Sequence, residues 1–170
     1  FQNKITPAQA CKHPNWKMGK KISVDSANLM NKVFEIIEAQ RMFKFNINKY
    51  KILVHPQSYV HAIIKFKNGL VKMLLYDTNM KIPIFNSIYN KKIEYIPSKK
   101  ISSKTLNEMN FYEVNKLKFP SIKLLKKISK KNTLFDTVIT SANEELAKLF
   151  LQHKISLRQI VDSLTKIINL

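Results

Sequence analysis

One stretch decides how the chain is interpreted: His13-Pro-Asn-Trp-Lys-Met-Gly-Lys-Lys-Ile-Ser-Val-Asp-Ser-Ala-Asn-Leu-Met-Asn-Lys-Val-Phe-Glu35. Its first part, up to Lys21, contains a proline, a glycine and several lysines, which is typical of a loop. Apolar residues then recur at helical spacing from Leu29 onward. We therefore expect Asp25 or Ser26 to cap a helix that runs to about Phe43.

Polar groups gather at the start of this expected helix. The first N–H groups of a helix lack partners and its dipole is positive there, so an anion such as a phosphate is favoured. Ser26 can donate a hydroxyl, Asn31 an amide and Lys32 a positive charge, while Glu35 can act as a hard-metal ligand. The alternatives remain that Ser26 is only a cap and that Lys32–Glu35 is only a surface pair.

Composition limits the class of protein. The chain has 170 residues, enough for one domain or for one and part of a second, and 45% of them are hydrophobic. It has a single cysteine, so a disulfide framework within the chain is excluded, which fits a reducing compartment. No apolar run approaches the roughly 20 residues of a membrane span. Because the sequence begins at Phe1, we expect a processed or partial chain.

The formal net charge of +19 raises the question of a nucleic-acid partner. Only Arg41 and Arg158 are arginines, and arginine is the residue favoured for bidentate contacts with bases and phosphates. We therefore attribute the charge to a lysine-rich surface and do not expect a nucleic-acid partner. A lysine-rich nucleic-acid-binding module, based on Ser98–Lys104 and Lys123–Lys131, remains the alternative.

The pattern changes after Tyr50. Three short strands are predicted at Lys51–His55, Tyr59–Phe66 and Leu70–Tyr76, with the last two joined at Asn68-Gly69, a strong hairpin signal. Together with the preceding helix they predict an α+β fold in which a small, mostly antiparallel sheet is covered by helices.

The rest of the chain is predicted to be irregular and then helical. Residues 79–118 contain two prolines and several Asn and Ser, which favours a connecting segment. Pro120 then opens an amphipathic helix. Ser141-Ala-Asn-Glu144 and Ser156-Leu-Arg-Gln159 are capping-box patterns, so we expect helices near 142–153 and 157–169 and a small helical bundle.

Several motifs resemble a known family. They are Thr6-Pro to Ala27 with its His13-Pro-Asn-Trp core, Asn31-Lys-x-x-Glu35, His55-Pro-Gln-Ser-x-Val-His61, Asn79-Met-x-x-Pro-Ile84, Phe119-Pro120 and Ser141-Ala-Asn-Glu144. In this order they resemble 1-deoxy-D-xylulose 5-phosphate reductoisomerases over nearly the whole chain. The chain departs from the family pattern where Val33 and Tyr76 stand in place of glycines and Asn79 in place of an aspartate.

The resemblance implies an activity and roles for single residues. The family converts 1-deoxy-D-xylulose 5-phosphate to 2-C-methyl-D-erythritol 4-phosphate in isoprenoid precursor synthesis, with NADPH and Mg²⁺ or Mn²⁺. The resemblance implies that Ser26, Asn31 and Lys32 hold the substrate phosphate and that Glu35 binds metal and substrate. The remaining implied roles are catalysis for Glu35, His13 and His61, substrate contact for His13, a substrate-binding lid that contains Trp16 and Met18, and NADPH contacts from Gly19 and Met80.

The resemblance also implies a domain organisation. We expect a partial catalytic or connective domain at 1–89 with a substrate loop at 13–21, a linker at 90–118, and a truncated C-terminal helical domain at 119–170. The family's NADPH domain and two further metal carboxylates are expected before Phe1, so the chain alone is expected to be inactive. A homodimer when complete, no membrane contact and a cytoplasmic or plastid-type location are implied. A non-catalytic remnant remains a further alternative.

Overall fold

The structure is a computed structural model that describes residues 4–16, 18–89, 94–128 and 133–169. Their contacts divide the chain into two compact units. Residues up to 52 together with those from 114 onward form the first unit, and Leu53–Glu113 form the second. These units follow other boundaries than the expected domains, because the C-terminal helix at 135–151 packs against the N-terminal helix at 20–27. The expected division at 89 and 118 stays a prediction.

The elements at both ends of the chain belong to the first unit, and those between them belong to the second. In chain order they are α1 (Pro7–Ala10), α2 (Lys20–Ala27), α3 (Met30–Phe43), β1 (Leu53–Val54), β2 (Val60–Lys65), β3 (Val71–Leu75), α4 (Lys81–Ile88), α5 (Ser103–Asn107), β4 (Tyr112–Glu113), α6 (Phe135–Leu151) and α7 (Leu157–Ile168). Two 3₁₀ helices lie at Ile47–Lys49 and Pro120–Lys127. The α+β class predicted from the sequence is confirmed.

The helix expected to begin at Asp25 or Ser26 is in fact two helices, so that prediction was wrong. Gly19 has extended backbone and starts α2 six residues earlier than Asp25, which leaves Ser26 in the last turn of α2. The break follows from Asn28, whose Oδ1 accepts the Met30 N–H at 3.0 Å, and from Leu29, whose φ is 62°. A new helix therefore begins at Met30.

The core of the first unit joins both ends of the chain. Its fully buried side chains include Val24, Met30, Val33, Phe150 and Leu164. Burying a side chain of this size contributes about 1.5–3 kcal/mol, so the C-terminal helices fix where α2 and α3 lie. Val33, which replaces a family glycine, is one of these core residues.

The C-terminal helices confirm two predicted starts, correct a third, and correct the type of one helix. The Ser156–Gln159 capping box starts α7 as predicted. The pattern at Ser141 is wrong as a helix start, because α6 already begins at Phe135 and Ser141 lies inside it. Residues 120–127 begin at Pro120 as expected but form a 3₁₀ helix rather than an α-helix.

The second unit contains two small antiparallel sheets rather than one. β2 and β3 form the predicted hairpin, in which Gly69 adopts a φ of 87°. β1 pairs instead with β4, a strand in the segment expected to be irregular. That segment also contains α4 and α5; Asn90–Ile93 lie outside the described residues. Most side chains from Ile63 to Leu74 are exposed, so helices of this unit leave the hairpin largely uncovered.

Candidate functional site

The N-terminal turn of α3 provides a positive electrostatic environment. Its sequence, Met30-Asn-Lys-Val33, carries a cation and no carboxylate, and the positive end of the helix dipole lies here. This moves the anion-favouring helix start from Ser26, where the sequence predicted it, to Met30. Asn31 and Lys32 are consequently in the first turn, as phosphate binding requires.

Lys32 and Glu35 form an ion pair on the surface of α3. Lys32 Nζ lies 2.9 Å from both Glu35 Oε1 and Oε2. The two side chains are 39% and 54% exposed, so water screens the pair and a ligand can reach either partner. The pair therefore presents side by side the cation predicted to bind phosphate and the carboxylate predicted to bind metal.

Asn31 supplies a polar atom that no other group satisfies. Its Oδ1 is buried, and among the described residues it has no hydrogen-bond partner. A buried acceptor without a partner costs free energy, which a ligand that donates a hydrogen bond recovers. Ser26 precedes this turn by four residues and is half-buried at the end of α2.

His13 lies close enough to Lys32 for their charges to interact. Burial lowers the pKa of His13, and the positive charge of Lys32 lowers it further. Its Nδ1 accepts hydrogen bonds from the backbone N–H groups of Asn15 at 3.1 Å and Trp16 at 3.0 Å. The neutral ring therefore carries its proton on Nε2, which makes His13 a hydrogen-bond donor at neutral pH.

The predicted substrate loop is described except at Lys17. Trp16 and Met18 are half-buried, and Gly19 is exposed. A Cβ built on Gly19 meets no described atom within 4 Å, so the space beside this backbone is open. An open backbone next to a lid is compatible with the NADPH contact implied for Gly19, which stays a prediction.

Two predicted site residues, His61 and Met80, belong to the second unit. The His61 ring stacks on Tyr76 with ring centroids 3.6 Å apart and an interplanar angle of 9°. His61 Nε2 lies 3.1 Å from the Tyr76 carbonyl oxygen, to which it donates. Met80 precedes α4 and is 54% exposed. No local sequence pattern predicts that Tyr76 contacts the His61 ring.

The motif that begins at His55 has a structural role within the second unit. His55 Nδ1 lies 2.9 Å from the Asn110 carbonyl oxygen, and its ring stacks on Phe111. Gln57 donates to the Glu108 carbonyl at 2.6 Å and accepts from the Asn110 N–H at 3.3 Å. These contacts fix the segment that leads into β4.

Glu35 is the one residue that the sequence analysis predicts as a metal ligand. In the part of the chain that the structure describes, no three His, Cys, Asp or Glu side chains come together as a metal site. An exposed carboxylate suits Mg²⁺ or Mn²⁺, which also bind through water and substrate oxygens. Glu35 thus fits one position of such a site but does not complete it. No helix among the described residues is long and apolar enough to span a membrane.

Comparison with known families identifies the chain. The family model for the 1-deoxy-D-xylulose 5-phosphate reductoisomerase C-terminal domain matches residues 2–43. A second model, the DXP reductoisomerase C-terminal domain, matches residues 75–169, more than half of the chain. The chain belongs to the DXP reductoisomerase C-terminal domain family.

Individual reductoisomerases agree with this assignment. That of Pelagibacter ubique (strain HTCC1062) is 53% identical over 169 residues, which are 99% of this chain and 43% of the relative. The structure of the reductoisomerase from Zymomonas mobilis in complex with NADPH superposes with a TM-score of 0.86 at 30% identity, covering 99% of this chain and 43% of that one. A DOX-P reductoisomerase in complex with NADPH, fosmidomycin and magnesium gives a TM-score of 0.87 at 30% identity, covering 98% and 41%. The chain therefore spans about two fifths of the reductoisomerases that it matches.

Proposed function

We propose that this chain is the phosphate-binding and metal-facing part of a reductoisomerase that converts 1-deoxy-D-xylulose 5-phosphate to 2-C-methyl-D-erythritol 4-phosphate. One observation carries the proposal: Lys32 Nζ lies 2.9 Å from Glu35 Oε1 in the first turns of α3, at the positive end of the helix dipole. This arrangement offers a phosphate site next to a hard-metal ligand, which is what a phosphorylated substrate bound through a cation needs.

The chain's own residues bind and orient the substrate. Lys32 turns from Glu35 to the phosphate, with Ser26 and Asn31 as hydrogen-bond partners. Glu35 is then free to face the cation, and the Nε2–H of His13 can donate to a substrate oxygen. Trp16 and Met18 close over the site and exclude water. When bound, the cation would polarise the substrate oxygens and NADPH would supply the hydride.

The homodimer implied by the family is also part of the proposal. The β2–β3 hairpin exposes apolar side chains on both faces, namely Ile63, Ile64, Phe66, Leu70, Val71, Met73 and Leu74. An exposed apolar surface with open strand edges favours association with a second copy. Sedimentation of the chain should show a dimer that Leu74→Lys shifts toward monomer.

Two further points complete the proposal. We propose no nucleic-acid partner, so duplex DNA should not bind at physiological salt; retained binding that falls steeply with salt would instead support the lysine-rich module. We also propose a cytoplasmic or plastid-type location, as the single cysteine and the biosynthetic family suggest.

A chimera tests the proposed activity. The chain is fused behind the preceding segment of the Pelagibacter ubique relative, which is 53% identical to it, and NADPH oxidation is measured with 1-deoxy-D-xylulose 5-phosphate and Mn²⁺. We expect turnover by the chimera and none by the 170-residue chain alone, since its described residues supply one metal carboxylate. A folded chimera without turnover would favour the non-catalytic remnant.

A further inference from the structure

The Ser141–Glu144 motif has no function as a helix start, because it lies inside α6. Within it, Asn143 is completely buried, and its Nδ2 donates to Asp25 Oδ1 at 2.8 Å. This contact joins residues 118 positions apart in the sequence. Asn143 therefore connects α6 to the residue directly before Ser26.

Asp25 is held from two sides. It is 2% exposed, and its second carboxylate oxygen lies 2.7 Å from Lys21 Nζ. With both oxygens engaged by Lys21 and Asn143, Asp25 is a structural anion that fixes the end of α2. Its position in turn fixes the neighbouring Ser26.

A second contact holds the other end of the junction between α2 and α3. The buried hydroxyl of Ser121 donates to the backbone carbonyl of Asn28. The Asn28 side chain accepts the Met30 N–H, and Leu29 adopts a left-handed conformation between them. Leucine is disfavoured in this conformation, so the surroundings must impose it. Ser26 thus lies between Asp25 and Asn28, each held from the C-terminal half.

Core stability alone does not account for Asn143. Its Oδ1 is buried and, among the described residues, has no hydrogen-bond partner. Its Nδ2 satisfies the buried Asp25 carboxylate, but a pair of apolar side chains at the two positions would avoid both the buried charge and the unpaired oxygen. A buried polar contact that costs stability but fixes a geometry is expected where the geometry itself is used.

We infer that Asn143 and Ser121 are positioning residues of the phosphate site: through Asp25 and Asn28 they fix Ser26 relative to Asn31 and Lys32 without touching the ligand. This inference rests on the proposed function. It assigns the C-terminal helical region a part in substrate affinity as well as in folding.

The test measures the affinity of the 170-residue chain for 1-deoxy-D-xylulose 5-phosphate by an NMR titration of backbone amides. Asn143→Ala should weaken binding about tenfold, the lower end of losses seen when residues that orient a ligand-binding group are removed. Ser121→Ala, which removes only a hydroxyl, should weaken it severalfold and covers the case in which Asn143→Ala does not fold. Ile160→Val, in the core on α7, is the matched control for lost stability and should keep the wild-type affinity.

Exchange of the partners provides a rescue. Asn143→Asp places a second carboxylate beside Asp25 and should weaken binding, whereas Asp25→Asn combined with Asn143→Asp restores an amide–carboxylate pair and should recover part of the affinity. Two outcomes would overturn the positioning role alone. One is an equal loss of affinity in Asn143→Ala and Ile160→Val. The other is unchanged affinity in Asn143→Ala while Lys32→Ala weakens binding. A wild-type chain that does not bind, with Lys32→Ala indistinguishable from it, would overturn the proposed function together with this inference.

Discussion

Glu35→Gln should lower turnover strongly and thermal stability only slightly, because this substitution removes one charge and keeps the side-chain volume. Glu35 is 54% exposed and its one described ionic contact is Lys32, also partly exposed. A surface pair three residues apart on a helix contributes about 0.2–0.5 kcal/mol. For a chain of 170 residues, 1 kcal/mol shifts the unfolding midpoint by about 2–4 °C, so the expected decrease is roughly 1–2 °C.

Activity should respond very differently. If Glu35 binds the cation, the chimera carrying Glu35→Gln should lose turnover by about a hundredfold or more and regain part of it at high Mn²⁺. Thermal unfolding by circular dichroism and NADPH oxidation are measured on the same preparations. Glu38→Gln, an exposed carboxylate on the same helix, is the matched control and should leave both unchanged. Retained turnover with a midpoint lowered by many degrees would mean that Glu35 is a structural partner.

Three other substitutions test the remaining parts of the site. Lys32→Ala should raise KM of the chimera about tenfold, because a charge-assisted contact contributes roughly 1.5–3 kcal/mol; an unchanged KM would make Lys32 a solvated surface charge. The lowered pKa of His13 means that the unfolded chain, with its ordinary value of 6.5, takes up the proton first as the pH falls. The free energy of unfolding should therefore be highest above that pH and decrease as the pH drops through the folded-state pKa. Urea unfolding of His13→Asn should lack this decrease. Gly19→Ser should stabilise the chain by about 0.5 kcal/mol, since Ser caps α2 and its Cβ has room, yet weaken NADPH binding by the chimera; unimpaired binding would remove the Gly19 contact.

Local signals allowed a correct prediction wherever the deciding contacts are close in sequence. The Ser156–Gln159 capping box forms, and so does the hairpin at Asn68-Gly69. Each depends on hydrogen bonds between residues at most a few positions apart. The same holds for the Lys32–Glu35 pair, whose three-residue spacing on a helix brings the side chains together.

Predictions failed where distant residues decide the structure. Asn28 and Leu29 form the break between α2 and α3 locally, but the Asn28 carbonyl also accepts a hydrogen bond from Ser121, 93 positions away, and no local pattern contains that contact. β1 pairs with Tyr112–Glu113 instead of the neighbouring hairpin for the same reason. Ser141 was mistaken for a cap because its pattern is correct locally, although the preceding residues Phe135 to Thr140 are already helical. The residue types and spacing of α3 predict a site from the sequence alone, but no local signal indicates that α6 contacts Asp25 in α2.

The Lys32–Glu35 contact has a consequence for the order in which ligands bind. In the site that we propose, the anion and the cation use opposite members of one pair, so the first ligand to bind must separate Lys32 from Glu35 and the second finds its partner already released. Each ligand should therefore promote binding of the other. The coupling is limited to the energy of the pair, a few tenths of a kcal/mol, or about a twofold change in affinity. Phosphate affinity of the chimera, measured with and without Mg²⁺, should show this reciprocity, and Glu35→Gln should abolish it.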